Sequence, residues 1–132
     1  MNDAGRARTG SKLNALRVLI VEDESIVSFL IEDMLTEMGC EVIGHAVGVR
    51  EALTLLAERR PDAAVLDVNL RGEMAFPVAE RLEAERIPFL FATGYGQAGL
   101  PERWRQRPVI QKPFGYSDLS RALEAAVSKT DR

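Results

Sequence analysis

Five side chains able to do chemistry stand where apolar runs stop. Val18-Leu19-Ile20-Val21 is followed by Glu22 and Asp23, and Ala63-Ala64-Val65-Leu66 by Asp67. Pro88 to Ala92 is followed by Thr93, and Val109-Ile110-Gln111 by Lys112. Buried strands that each deliver a polar group at the C-terminal end describe the crevice of an open parallel sheet. Three carboxylates gathered there repel one another unless a divalent cation joins them or a proton is shared. An all-oxygen donor set suits Mg²⁺, which takes one or two carboxylates together with phosphate oxygen. Lys112 supplies a compact positive charge, the Thr93 hydroxyl a donor, and Asp67 a nucleophile able to form an aspartyl phosphate. Nucleophile, metal, cation and hydroxyl then surround one transferring phosphoryl group.

The elements that must position these groups follow from hydrophobic period. Leu16 to Val21 reads as a strand buried on both faces. Ile26, Phe29, Leu30, Met34, Leu35 and Met38 have helical spacing from Ser25 onward, with Gly39 as the stop. A second strand covers 41–46, and a helix over 49–59 ends before Pro61. Ala63 to Asp67 forms the third strand, and Pro77 opens a helix running toward Arg86. The fourth strand spans 88–92, the fifth 109–111, and the last helix 116–129 places Leu119, Leu123 and Val127 inward. Strand and helix alternate, so the fold class is an α/β doubly wound sandwich on a parallel sheet. Gly94, Gly96, Gly99 and Pro101 leave room for only a short or frayed helix between the last two strands.

Bulk composition narrows the function. A chain of 132 residues with 46% apolar and 28% charged residues fits one globular domain. Residues 1–14 are polar and aperiodic and read as a tail, leaving 15–130 as the domain, with no output domain expected after it. A net charge of −3 argues against nucleic-acid binding, and the apolar runs are too short to span a membrane. A single Cys40 excludes an internal disulfide, and the N-terminus lacks a signal-peptide core, so a cytoplasmic protein is expected.

In order and spacing, Glu22-Asp23, Asp67, Thr93 and Lys112-Pro113-Phe114 make the chain resemble the receiver domain of bacterial two-component response regulators, from about Leu16 to Lys129. That resemblance implies a flavodoxin-like (βα)5 fold with sheet order 2-1-3-4-5. It implies that Asp67 accepts a phosphoryl group from a phosphohistidine on a sensor histidine kinase or histidine phosphotransfer protein. Glu22, Asp23, Asp67 and the backbone carbonyl of Asn69 would hold Mg²⁺. Lys112 would pair with Asp67 and then with the phosphoryl group, Thr93 would swing in to bond it, and the Lys112-Pro113 bond would be cis. Output would pass to a downstream protein target or along a phosphorelay. Its contact face would be the fourth-helix region, fifth strand and fifth helix. The protein would not be a turnover enzyme, since it would consume itself as substrate.

The string Phe91-Ala92-Thr93-Gly94-Tyr95-Gly96 is similar to the signature of the FAT GUY subgroup of these receivers. The chain departs from the wider pattern at Val109, where many members carry Tyr or Phe. An inward-turning aromatic cannot couple to Thr93 there, and the glycine-rich segment after Thr93 is expected to carry the response instead.

Plainer readings stand beside these. Glu22-Asp23 alone would be a solvated turn, with Ser25 capping the next helix. Gly94-x-Gly96-x-x-Gly99 has the form of a dinucleotide fingerprint, but the next strand ends in lysine rather than an acid, and the segment reads as loop. Asn69 is a turn former whose side chain, like Tyr95, could border the phosphoryl group. His45, the only histidine, has no second His or Cys beside it. Arg103-Trp104-Arg105-x-Arg107 reads as a solvated or protein-binding rim, the latter if Trp104 is exposed. Two rivals come from other classes: a phosphorylation-independent binding module that keeps the pocket, and an aspartyl-phosphate phosphohydrolase. The second expects D-x-D after the first strand, which Val21-Glu22-Asp23-Glu24 lacks.

Overall fold

The computed structural model describes residues 13–95 and 99–130. The segments 1–12, 96–98 and 131–132 lie outside it, and with them most of the expected tail and Gly96. Packing has begun by Leu13, which is buried and whose carbonyl accepts from the Cys40 thiol. Leu13 packs in the core cluster that includes Val18, Ile31 and Leu35.

Five strands form one parallel sheet: β1 (Arg17–Val21), β2 (Glu41–Ala46), β3 (Ala63–Asp67), β6 (Phe89–Thr93) and β7 (Val109–Gln111). A two-stranded hairpin, β4 (Asn69–Leu70) and β5 (Glu73–Met74), follows β3. The helices are α1 (Ser25–Glu37), α2 (Val49–Glu58), α3 (Phe76–Ala84) and α4 (Tyr116–Thr130). The sheet order is β2-β1-β3-β6-β7, the expected 2-1-3-4-5 when only main strands are counted. Strand order reverses between β1 and β3, and the crevice at that switch point is where the polar strand ends collect.

Strand residues alternate between two cores, as the period of two requires. Leu19, Val21, Leu66, Phe89 and Phe91 face α2 and α3, while Val18, Ile20, Val65, Leu90 and Ala92 face α1 and α4. Gly39 ends the first helical segment at φ +92°, a left-handed position that costs glycine nothing. A Cβ there would also sit 2.8 Å from the Asn14 side-chain oxygen.

Where the fourth helix of the alternation would lie, between β6 and β7, the described residues hold a 3₁₀ turn, Glu102–Trp104. The glycines and Pro101 make a longer helix there unfavourable, and one large side chain fills the space instead. Trp104 is only 3% exposed, so it is core and not the exposed rim residue considered above. Its ring stacks on Phe76 at 6.3 Å and meets Phe91 edge-on at 6.0 Å. Arg103 covers the outer face of the indole at 4.4 Å and pairs with Glu80 and Glu83, while Arg107 also reaches Glu83. Arg103 first, then Arg107, holds the Glu83 carboxyl below its ordinary range. Trp104→Ala is expected to cost about 3–5 kcal/mol in urea unfolding, because the surrounding rings cannot collapse into the gap. A loss under about 1 kcal/mol would show that the turn is not part of the cooperative core.

Among the described residues, α1 departs from the face its spacing suggests. Ile26, Phe29 and Leu30 are 75%, 62% and 51% exposed, whereas Ser28, Ile31 and Leu35 are buried. No helix among the described residues is long and apolar enough to cross a membrane.

Candidate functional site

The crevice brings together all five side chains that the sequence singles out. Glu22 and Asp23 follow β1, Asp67 and Thr93 are the last residues of β3 and β6, and Lys112 follows β7. Glu22, Asp67 and Thr93 are buried at 2%, 6% and 4% exposure while Asp23 is half-buried, so Glu22 at least is no part of a solvated turn. One oxygen from each of Glu22, Asp23 and Asp67 can be chosen so that all three lie within 4.8 Å of one another. Lys112 Nζ donates to Glu22 Oε1 at 3.0 Å and to Asp67 Oδ2 at 3.1 Å. The cis Lys112–Pro113 bond is present as expected.

Electrostatics follow from this crowding. Burial, then the neighbouring charge of Asp67, pushes the Glu22 carboxyl up to about 7 against the pull of Lys112. Burial likewise raises Asp67, outweighing the lowering by Lys112 and by the Asn69 amide. Burial works against the charge on Lys112, but the two carboxylates together outweigh it and hold the ammonium above its ordinary range. Two charges facing one cation leave the cluster short of positive charge. That shortage, with an all-oxygen donor set, fits a hard divalent cation such as Mg²⁺.

The surrounding backbone fixes the remaining parts. The Asn69 amide donates to Asp67 Oδ1 at 3.3 Å. The Asn69 side-chain Oδ1 accepts from the Gly72 amide at 2.6 Å. Thr93 Oγ1 accepts from the Tyr95 amide at 3.1 Å, and the Thr93 carbonyl accepts from the Lys112 amide at 2.8 Å. Tyr95 itself is 79% exposed. Val109 is half-buried, packs against the core cluster between the sheet and α2 and α3, and pairs with Phe91 of β6. His45 is bound on both ring nitrogens, Nδ1 to Ser28 at 2.6 Å and Nε2 to Glu32 at 2.9 Å, which ties α1 to β2.

Residue-type reasoning passed over Arg71. Its guanidinium donates to the Asp23 carbonyl at 3.3 Å and lies 3.6 Å from Asp23 Oδ2. The signal was the β4–β5 turn, Arg71-Gly72, which lacks the Asn-Gly or Asp-Gly that marks such turns most clearly.

Residues 18–124 match the response regulator receiver domain, and the chain belongs to that family. It is 36% identical to the transcriptional regulatory protein PdtaR of Mycobacterium tuberculosis over 117 residues, 86% of this chain and 57% of PdtaR. The chain thus spans about half the length of the curated relatives it matches. The solution structure of SdrG from Sphingomonas melonis Fr1 superposes with a TM-score of 0.78 at 43% identity, covering 85% of this chain and 96% of SdrG. The response regulator PhyR from Brucella abortus gives a TM-score of 0.75 at 29% identity, covering 92% of this chain and 52% of PhyR. Receiver domains are signalling domains of two-component systems, and this chain has their fold.

Proposed function

We propose that the chain is a phosphoryl-accepting receiver in which Asp67 takes the group from a phosphohistidine and passes the signal on by protein contact. The observation that carries this reading is the Lys112 ammonium bridging Glu22 and Asp67 in a buried crevice rimmed by Asp23. An Asp67 carboxylate oxygen attacks phosphorus as the phosphorus–nitrogen bond of the donor breaks, and the electron pair leaves with the imidazole. Lys112, no longer needed by a full carboxylate charge, turns to a phosphoryl oxygen. The Thr93 hydroxyl, whose oxygen accepts from the Tyr95 amide, donates its proton to another such oxygen and shifts toward it, so the loop after β6 feels the change. Water later attacks phosphorus, releasing phosphate and restoring the carboxylate.

Glu22, Asp23, Asp67 and the Asn69 carbonyl would hold Mg²⁺, whose chemistry here is to neutralise the oxygens of the transferring group. The partner on the donor side is a histidine kinase or phosphotransfer protein. An apolar groove of about 360 Å³ beside Lys112, lined by Val27, Leu30, Met34 and Phe114, supports docking of a protein rather than a small ester. With Ile26, Phe29 and Leu30 exposed alongside, it favours a protein donor over the phosphohydrolase alternative.

Intact mass after incubation with phosphoramidate tests the reaction. One phosphoryl addition is expected with Mg²⁺, and none without it or in Asp67→Ala. An addition that survives Asp67→Ala would overturn the assignment of the acceptor.

A further inference from the structure

Arg71 is one of three non-glycine residues in the left-handed region among the described residues, with Ala15 and Arg86, and it alone sits beside the carboxylate crevice. It stands at φ +56° and Gly72 at φ +89°, the two central positions of the β4–β5 turn. Left-handed conformations at both positions match the tight hairpin turn of the I′ type, where Asn, Asp or Gly is usual at the first position. A branched-off side chain there costs about 1 kcal/mol relative to glycine. The turn is nevertheless pinned, since Asn69 Oδ1 accepts from the Gly72 amide at 2.6 Å and Leu70 pairs with Glu73.

The pinned turn aims the side chain back over the crevice mouth. Arg71 Nη2 donates to the Asp23 carbonyl at 3.3 Å and Nε stands 3.6 Å from Asp23 Oδ2. Lys112 serves Glu22 and Asp67 but has no bond to Asp23, so among the described residues Arg71 is the cation paired with the third carboxylate. The Arg71 side chain is 74% exposed and that of Asp23 only 14%, so the guanidinium can leave for water while the carboxylate stays.

Resting on the metal-dependent reading above, we infer that Arg71 is a displaceable counter-cation that competes with the divalent ion for Asp23 and sets the metal affinity of the site. It is a positioning residue, acting through Asp23 and not on the phosphoryl group. Without metal it neutralises Asp23. With metal bound, its charge is repelled and the guanidinium swings out, so every binding event includes breaking this pair.

Calorimetric titration of the unphosphorylated full chain with MgCl₂ tests the inference on wild type, Arg71→Gln, Arg71→Lys and Arg103→Gln. Arg71→Gln is expected to bind Mg²⁺ about three- to tenfold more tightly than wild type, the range for an exposed pair plus repulsion of a doubly charged ion. Arg71→Lys keeps the charge without the fork and should fall between them. Arg103→Gln, with the same change in net charge far from Asp23, should match wild type. A parallel thermal melt in chelator separates competition from mere folding, because Arg71→Gln should melt no higher than wild type without metal. Equal affinities for Arg71→Gln and wild type would overturn the inference while leaving the metal site intact. Weaker binding by Arg71→Gln would also overturn it, by showing that Arg71 orders Asp23 for the ion. Absence of Mg²⁺ binding in every variant would overturn both this inference and the metal-dependent reading.

Discussion

Lys112→Met is expected to lower stability in chelator by about 3 kcal/mol at about pH 8, a loss that Mg²⁺ largely restores. The ammonium stands 3.0 Å from Glu22 and 3.1 Å from Asp67, whose side chains are 1% and 8% exposed. Removing it strands two buried carboxylates against each other, the costly way to break a buried pair. The lysine side chain is itself 23% exposed, so water takes up part of the loss and the larger values for wholly buried pairs do not apply. Near pH 5 the carboxylates can take up protons, and the penalty should shrink. Urea unfolding at both pH values, with chelator and with MgCl₂, checks all three statements. A loss below about 1 kcal/mol at the higher pH, or no rescue by Mg²⁺, would show that the carboxylates do not repel as described.

Metal-free stability should also fall as pH rises from about 4.5 to about 7, by an amount on the order of 2 kcal/mol. The cause is Glu22, raised to about 7 by burial first and by Asp67 next. In that window the folded chain keeps a proton that the unfolded chain has released. The native state therefore binds more protons, and each step up in pH favours unfolding. Asp67 is shifted in the same direction and adds to the slope. Lys112 is shifted upward too, but it is protonated in both states throughout this window and contributes no slope there. Asp67→Asn removes one facing charge, so it should raise the metal-free melting temperature and flatten the profile. Saturating Mg²⁺ should remove the fall, because ligation requires the charged carboxylates. A flat or rising wild-type profile in chelator would contradict the crowded-acid picture.

The strand ends were legible because burial on both faces leaves long β-branched runs, and a polar residue closing such a run is conspicuous. Ala63 to Asp67 and Val109 to Gln111 coincide with β3 and β7 for that reason. Helix α1 was legible as a helix but not in its orientation. Ile26, Phe29 and Leu30 share helical spacing with Leu35, yet the core takes Ser28, whose hydroxyl meets His45, and leaves the larger residues outside. Spacing reports period; which side is buried depends on what the sheet offers opposite. Trp104 flanked by arginines looked like a rim, because no local pattern shows that Phe76, Phe89 and Phe91 converge on it. Asn69 opens the strand β4, and its side-chain oxygen accepts from the Gly72 amide across the turn, a bond that no local spacing announces. Arg71 was missed because its role rests on a left-handed turn that its residue type disfavours.

Reductive trapping tests the central claim most directly. After incubation with phosphoramidate and Mg²⁺, borohydride converts an aspartyl phosphate to homoserine, which peptide mass mapping locates. The phosphoryl-acceptor account predicts homoserine at position 67 alone, absent when Mg²⁺ is chelated. Homoserine at Asp23, a reduced glutamate at Glu22, or no reduced residue in a protein that has gained phosphoryl mass would contradict it.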